Sequence, residues 1–237
     1  MHIGAQQWLQ VWEQGRLQAA PRRALLLLGV AYPETPAQLA ELPIGERNRR
    51  LMGLRQALFG NALNSVANCP NCQERLELSL SFSDLLKEAA PGPPKRLSLE
   101  GYELEFRLPC SHDLLGLPAS LEAARAGLLG RIMLKAEYQG QEVEVSQLPG
   151  PISAALSQAL AQADPLAVTQ IEMSCPNCGH HFSALFDIVS FLWRELEHWA
   201  LRTLGEVHRL ASAYGWRESD ILVLSPLRRQ MYLQMVP

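Results

Sequence analysis

Cysteine is scarce in this sequence: five in 237 residues. That is too few for a disulfide-stapled scaffold, and a chain of this length buries enough surface to need no staples. Long apolar runs are missing too. The longest, Ala24 to Val30, falls far short of the roughly 20 residues that cross a bilayer, so membrane insertion is not expected. The first residues, Met1-His2-Ile3-Gly4, carry neither a basic stretch nor a signal-peptide core, so secretion by that route is not expected. Gly127, Gly130 and Gly140 lack the spacing and the strand-to-helix setting of a phosphate-binding loop. A large excess of one charge is also absent, the net value being −3 with 19% charged residues.

That small net charge hides an uneven distribution. Residues 1–60 carry seven basic and four acidic side chains, residues 61–190 eight and fifteen, and the last 47 six and five. The acidic middle repels phosphate backbones and argues against nucleic-acid binding through that region. The terminal thirds keep small basic patches for a partner.

What is present is a change of period along the chain. Trp8, Leu9, Val11 and Trp12, then Arg22 to Val30, then Gly45 to Gly60, read as helices. In the last of these Leu51, Leu54 and Leu58 form the apolar stripe, with Arg47, Arg50 and Arg55 off it, and the helix is expected to continue through Leu63 and Val66. The middle alternates. Leu76 to Phe82, Tyr102 to Leu108, and Ile132 to Tyr138 each predict a strand with one wet face. Between them lie a Pro91-Gly92-Pro93-Pro94 loop and a short helix over Leu121 to Leu129, and Gln139-Gly140 predicts a turn. Gly150-Pro151 starts a helix that should stop near Asp164-Pro165. The strongest helix follows, with Phe191, Leu192, Leu196, Trp199, Leu204, Val207, Leu210 and Tyr214 on its buried side, and Gly215 is a natural stop. Two short helices should follow, one over Arg217 to Leu224 and one capped by Ser225 with Pro226 in its first turn.

Four of the five cysteines stand in two identical motifs, Cys69-Pro70-Asn71-Cys72 and Cys175-Pro176-Asn177-Cys178. A CxxC turn sets two thiolates on one side of a tight loop, and two such turns complete a tetrahedral sulfur site with zinc–sulfur distances of about 2.3 Å. Soft thiolates in that geometry favour zinc, with an iron–sulfur centre as the alternative. The pairs are separated by the 102 residues from Gln73 to Ser174. Closing a loop of that length costs about 4 to 5 kcal/mol, against roughly 10–16 kcal/mol of apparent binding energy at structural zinc sites. One structural Zn²⁺ would therefore clamp the base of an inserted segment. A lone CxxC can act as a redox pair, but the matching second pair makes that the weaker account. His180 and His181 are not needed as ligands when four thiolates are available. Cys110 is left over as a small, partly buried apolar residue.

Other candidates for chemistry are thin. His112-Asp113 lacks an assignable nucleophile, and Asp113 is expected to cap or border the following turn. His198 and His208 are expected on the surface of the long helix. Trp193, Trp199 and Trp216 suit a core or an interface equally. The C-terminal group Trp216, Arg228, Arg229 and Tyr232 is the candidate partner contact. The fold expected is α+β, with mainly helical flanks around a small mixed α/β insertion, joined by a zinc-ribbon-like site of four cysteines. The segments expected are a helical region over 1–68, a zinc-tethered subdomain over 69–178 and a second helical region over 179–237.

The stretches LPIGERNRRLMGLRQALFG at 42–60, CPNCQERLELSLSFSDLL at 69–86, YELEFRLPCSHDL at 102–114, CPNCGHHFSALFDIVSFLWREL at 175–196 and VHRLASAYGWRESDILVLSPLRRQMYLQM at 207–235 resemble the T4-type phage baseplate protein family. The resemblance extends to zinc-binding relatives from contractile phage tails and phage-tail-like injection systems. It implies a non-enzymatic baseplate component or assembly factor, with baseplate or hub proteins as partners and with zinc at Cys69, Cys72, Cys175 and Cys178. No catalytic residues carry over. The location implied is cytoplasmic, with incorporation into a tail-like particle. The alternative is a zinc-ribbon-like nucleic-acid-binding adaptor, which predicts salt-sensitive binding.

Overall fold

The computed structural model describes residues 3–87 and 95–236, apart from the side chains of Asp84 and Lys87. The Pro91-Gly92-Pro93-Pro94 loop lies outside the described residues. In chain order the elements are α1 (Ala5–Gly15), α2 (Ala20–Ala31), α3 (Pro36–Ala40), α4 (Ile44–Phe59), β1 (Ala62–Asn68), β2 (Arg75–Ser81), α5 (Phe82–Lys87), β3 (Arg96–Leu99), β4 (Tyr102–Phe106) and α6 (Ser111–Leu114). There follow α7 (Leu121–Ile132), β5 (Met133–Tyr138), β6 (Gln141–Glu142), α8 (Gly150–Ala163), β7 (Thr169–Ser174), β8 (His181–Phe186), α9 (Ile188–Tyr214), α10 (Glu218–Val223) and α11 (Pro226–Met235). Single 3-10 turns sit at Val145–Gln147 and Pro165–Ala167. The fold is thus mixed α and β, with helices flanking a strand-rich middle as expected.

The chain divides into two compact units, Met1–Thr35 with Val189–Pro237, and Pro36–Ile188. These boundaries differ from those expected near residues 68 and 178: β8 pairs with β7 and carries the second past 178, and polar ties set the first. The Gly45 N–H donates to the Asp164 carboxylate at 2.8 Å, and Asn48 Nδ2 donates to the Leu166 carbonyl at 2.8 Å. Helix α4 therefore belongs with the strands rather than with α1 and α2.

The first unit is helical. Trp8, Leu9, Val11 and Trp12 of α1 are buried, as are Leu192, Trp193, Leu196, Ala200, Val207 and Leu210 of α9. Trp193 is thus a core residue. Its ring lies so close to Gly15 that a Cβ there would sit 2.2 Å away, and the Arg23 guanidinium stacks on it at 4.6 Å. Gly215 ends α9 at φ 66 with its N–H on the Ala211 carbonyl.

The second unit holds three antiparallel sheets among the described residues: the pair β1–β2, the four-stranded order β3-β4-β5-β6, and the pair β7–β8. Leu104, Phe106 and Ala136 of the four-stranded sheet pack with Leu148 and with Ile152 and Leu156 of α8, forming the main core there. Gln139 and Gly140, both at positive φ, make the expected turn. Helix α8 starts and stops where its glycine, prolines and aspartate predict.

Four local expectations are corrected. Gly60, at φ 85, ends α4, so Leu63 and Val66 lie in a strand and not in a continuing helix. Arg47 and Arg55 are buried rather than on the wet face of α4. Arg47 donates to Asn48 Oδ1 and Ser111 Oγ, while Arg55 satisfies the Gly60 and Ala62 carbonyls at 2.6 and 2.7 Å, so each guanidinium finds polar partners inside. Phe82 starts α5 instead of ending a strand. Ile132 closes α7, and a register shift at Glu105/Phe106 leaves Leu134 exposed, breaking the alternation read across 132–138.

Candidate metal centre

Each CPNC motif is the turn of a hairpin. The strands β1 and β2 pair from Ala62↔Ser81 to Asn68↔Arg75, and β7 and β8 from Thr169↔Phe186 to Ser174↔His181. This pairing delivers both turns with the same backbone pattern. The Cys69 N–H donates to the Glu74 carbonyl and the Gln73 N–H to the Cys69 carbonyl, each at 2.9 Å. The Cys175 N–H donates to the His180 carbonyl and the Gly179 N–H to the Cys175 carbonyl, again at 2.9 Å. Both turns need a left-handed residue after the second cysteine. Gly179 supplies it at φ 69, and Gln73 adopts it at φ 62 at the steric cost a Cβ brings.

The structure brings all four sulfurs together, within 4.8 Å of one another. Cys69 and Cys178 sulfurs are 3.7 Å apart, and those of Cys72 and Cys175 are 3.6 Å apart. A tetrahedron with arms of about 2.3 Å has edges of about 3.8 Å, so the donor set fits one tetrahedrally held ion. It is too tight for a multi-iron cluster, whose cysteines ligate different irons. The site is asymmetric toward solvent. Cys69 and Cys175 are buried with Leu76, against Met173 and Phe182, while Cys72 is half-buried and Cys178 exposed.

The local electrostatics differ between the two outer sulfurs. A hydrogen bond from the Asn71 side chain, then one from the His180 backbone, holds the Cys178 thiol down at about 6. The Glu74 backbone acts on Cys72 in the same sense, but desolvation and its cysteine neighbours together push it up to about 11. Asn177 Nδ2 donates to Cys72 Sγ at 3.7 Å.

The histidines stand aside. His181 Nδ1 bonds Ser174 Oγ at 2.6 Å, and the His180 ring stacks on Phe182 at 6.2 Å. Among the described residues the cluster contains the four cysteines alone. Cys110 is buried, as expected, and Asp113 caps α6 by accepting from the Cys110 N–H at 2.9 Å. Burial alone would raise the Asp113 carboxyl. Two 2.6 Å bonds from Arg107 and the bonds from Cys110 outweigh it and hold the group at about 2. The Cys110–Asp113 contact anchors the start of α6.

The C-terminal candidates divide. Trp216 stacks on Tyr214 at 4.7 Å and meets Tyr232 edge-on at 4.9 Å, joining the end of α9 to α11. Arg228 is exposed and shares a shallow groove of about 430 Å³ with Tyr232. Arg229 is a correction: it is 4% exposed, with its Nε 3.2 Å from Glu206, and its charge is spent inside the fold. The sequence reading missed the apolar stripe beside that groove. Leu227, Met231 and Met235 are 75%, 49% and 65% exposed, and their spacing of four was the available signal. It also missed Asn177, whose amide reaches the opposite knuckle. No helix of the described residues is long and apolar enough to cross a membrane.

The sequence model of the family described as T4 bacteriophage base plate protein matches residues 31–193. That span takes in both knuckles and every strand, and ends before α10 and α11. No curated protein and no solved structure matches the chain.

Proposed function

The chain belongs to the T4 bacteriophage base plate protein family, and on that premise we propose that it is a non-enzymatic baseplate component or assembly factor of a contractile phage tail or phage-tail-like injection system. It acts in the cytoplasm through protein contacts and enters or serves the assembling particle. One structural Zn²⁺ clamps it through Cys69, Cys72, Cys175 and Cys178. The observation that carries the zinc assignment is the approach of four sulfurs, from turns 102 residues apart, to within 4.8 Å of one another, with two cross-knuckle pairs at 3.6 and 3.7 Å, close to a tetrahedral edge. Four thiolates close the coordination shell, which suits a structural and not a catalytic ion.

The contact surface lies on α11 and the α9–α10 junction. Leu227, Met231 and Met235 supply apolar area, Trp216 and Tyr232 supply rigid aromatic edges, and Arg228 supplies charge. An interface of this composition fits a baseplate or hub protein better than a nucleic acid, because aromatic, methionine and arginine side chains are those that anchor protein partners.

Co-purification from cells expressing the neighbouring tail proteins tests this. Capture of baseplate or hub proteins should survive nuclease and fall at least about tenfold in a Trp216→Ala, Met231→Glu variant that keeps its melting temperature, as loss of an interface anchor costs roughly 2 kcal/mol. Capture that nuclease abolishes would favour the nucleic-acid adaptor. Capture untouched by the substitutions would remove this surface from the account.

A further inference from the structure

The outer face of the four-stranded sheet sets three glutamates side by side. Residues directly opposite each other in an antiparallel pair share a face. Glu103 of β4 stands opposite Glu137 of β5, and Glu137 opposite Glu142 of β6, on the side away from Leu104 and Ala136. Like charges so placed work against a sheet, so the row calls for cations. Its middle member has one, Lys135 Nζ at 2.8 Å from Glu137. Glu103 accepts from the Ser98 hydroxyl, and Glu142 has no cation beside it among the described residues. The neighbouring row of Arg96, Glu105 and Lys135 mixes its signs. A groove between α9 and α11 repeats the pattern with the opposite sign. Arg202, Glu206 and Arg209 line it from α9, and Gln230 and Gln234 from α11. The middle charge is again already matched, by Arg229 at 3.2 Å from Glu206. Arg202 and Arg209 are exposed and have no ion pair among the described residues.

We propose that this groove docks the glutamate row of a second copy of the chain, joining molecules head to tail. Seven residues of helix bring Arg202 and Arg209 to nearly the same face, about 10.5 Å apart. Two steps between neighbouring strands put Glu103 and Glu142 about 9.6 Å apart. With α9 laid across the strands, each outer arginine meets an outer glutamate. The two positions already neutralised within their own chains, Glu206 and Glu137, then face each other at the centre and add no excess charge. The Gln230 and Gln234 amides supply further donors beside the carboxylates. The two surfaces are different patches, so the contact is heterologous. Every copy keeps a groove and a row to offer, and association extends until the rotation between copies closes a ring. The contact needs neither the zinc nor the apolar stripe assigned to a baseplate or hub protein.

The competing account is two solvated faces whose charges only keep the protein in solution. Sedimentation velocity of the full-length protein over a range of concentrations separates the two. At about 0.05 M salt the wild type should associate as concentration rises, and about 0.5 M salt should return it to single chains. Arg202→Glu with Arg209→Glu, or Glu103→Lys with Glu142→Lys, should weaken association at least about tenfold. All four changes in one chain restore the pairing with its signs exchanged and leave the net charge at −3. That variant should associate within about threefold of wild type, which a dependence on net charge alone does not predict for the pairs. A wild-type melting temperature shows that each variant is folded. Any that is not is replaced by its neutral pair, Arg202→Gln with Arg209→Gln or Glu103→Gln with Glu142→Gln, which should weaken association in the same sense. Wild type that stays a single chain at low salt, association untouched by reversing either pair, or a folded fourfold variant that stays dissociated would each overturn the proposal.

Discussion

Stripping the centre with a chelator should release two hairpins and leave the rest of residues 36–188 folded. The size of the effect follows from which loop the metal closes. Sequence separation gives 102 residues between the knuckles, but the chain is already tied nearer by. Asn48 holds the Leu166 carbonyl and Asp164 holds the Gly45 amide, each at 2.8 Å. Measured from those ties, the ring left for the metal to close is roughly 30 residues, at an entropic cost of about 3.5 kcal/mol. Without the ion, the contacts that oppose opening include those of Leu76, Met173 and Phe182 and the edge-on Phe82–Phe186 pair at 6.1 Å, which contribute on the order of 2–4 kcal/mol. The two nearly cancel, and an isolated two-stranded hairpin is marginal in water. The sheet β3–β6 keeps its own core of Leu104, Phe106, Ala136, Ile152 and Leu156 and has no share in the metal. Hydrogen exchange read by mass spectrometry, with and without chelator, resolves the two regions. Amides of β1–β2 and β7–β8 should lose about 100-fold or more in protection, while those of β4 and β5 stay within about threefold. Unchanged hairpins would refute the clamp. Loss of β4–β5 in parallel would refute the closure reasoning, because the metal would then support the whole unit.

Three further outcomes test separate parts of the fold. Gln73→Gly should stabilise the zinc-loaded protein by about 1 kcal/mol and Gly179→Ala should cost a similar amount, since both positions are left-handed; melts giving the reverse signs would contradict the turn geometry. Gly45→Ala puts a Cβ 1.7 Å from Asp164 Oδ1 and drives the carboxylate off the Gly45 amide, so urea unfolding should show a loss of about 2–3 kcal/mol; a loss below about 0.5 kcal/mol would mean that tie is dispensable. Asp113, held at about 2 against about 3.9 in the unfolded chain, contributes stability that is complete above pH 4 and lost as pH falls through 2. With allowance for the water that reaches Arg107, the contribution is about 1–2 kcal/mol, and Asp113→Asn should remove that part of the acid dependence; an unchanged acid limb would contradict it.

The sequence made the centre legible because its chemistry is local and duplicated. Two CPNC turns need no long-range information to be recognised, and only their meeting had to come from the fold. Helices with a stop residue in place, such as α8 before Asp164 and α9 before Gly215, were equally readable. What escaped was set by tertiary context. The run after Gly60 is apolar enough for either period, and only the pairing Leu63↔Leu80 makes it a strand. The strand β3 has a single partner edge and little apolar signal of its own. Arg47, Arg55 and Arg229 look like surface charges in a linear reading, because the carbonyls, hydroxyl and carboxylate that receive them lie on other elements or beyond a helix end. The Asn177 amide was hidden for a related reason: it serves the knuckle it does not belong to.

The most direct measurement is the metal content of freshly purified, reduced full-length protein, by native and inductively coupled plasma mass spectrometry, beside Cys69→Ser and Cys178→Ser. The account predicts one zinc ion per wild-type chain and a sharp fall in occupancy in both variants. Wild-type protein free of zinc, or variants that keep the full complement, would contradict it.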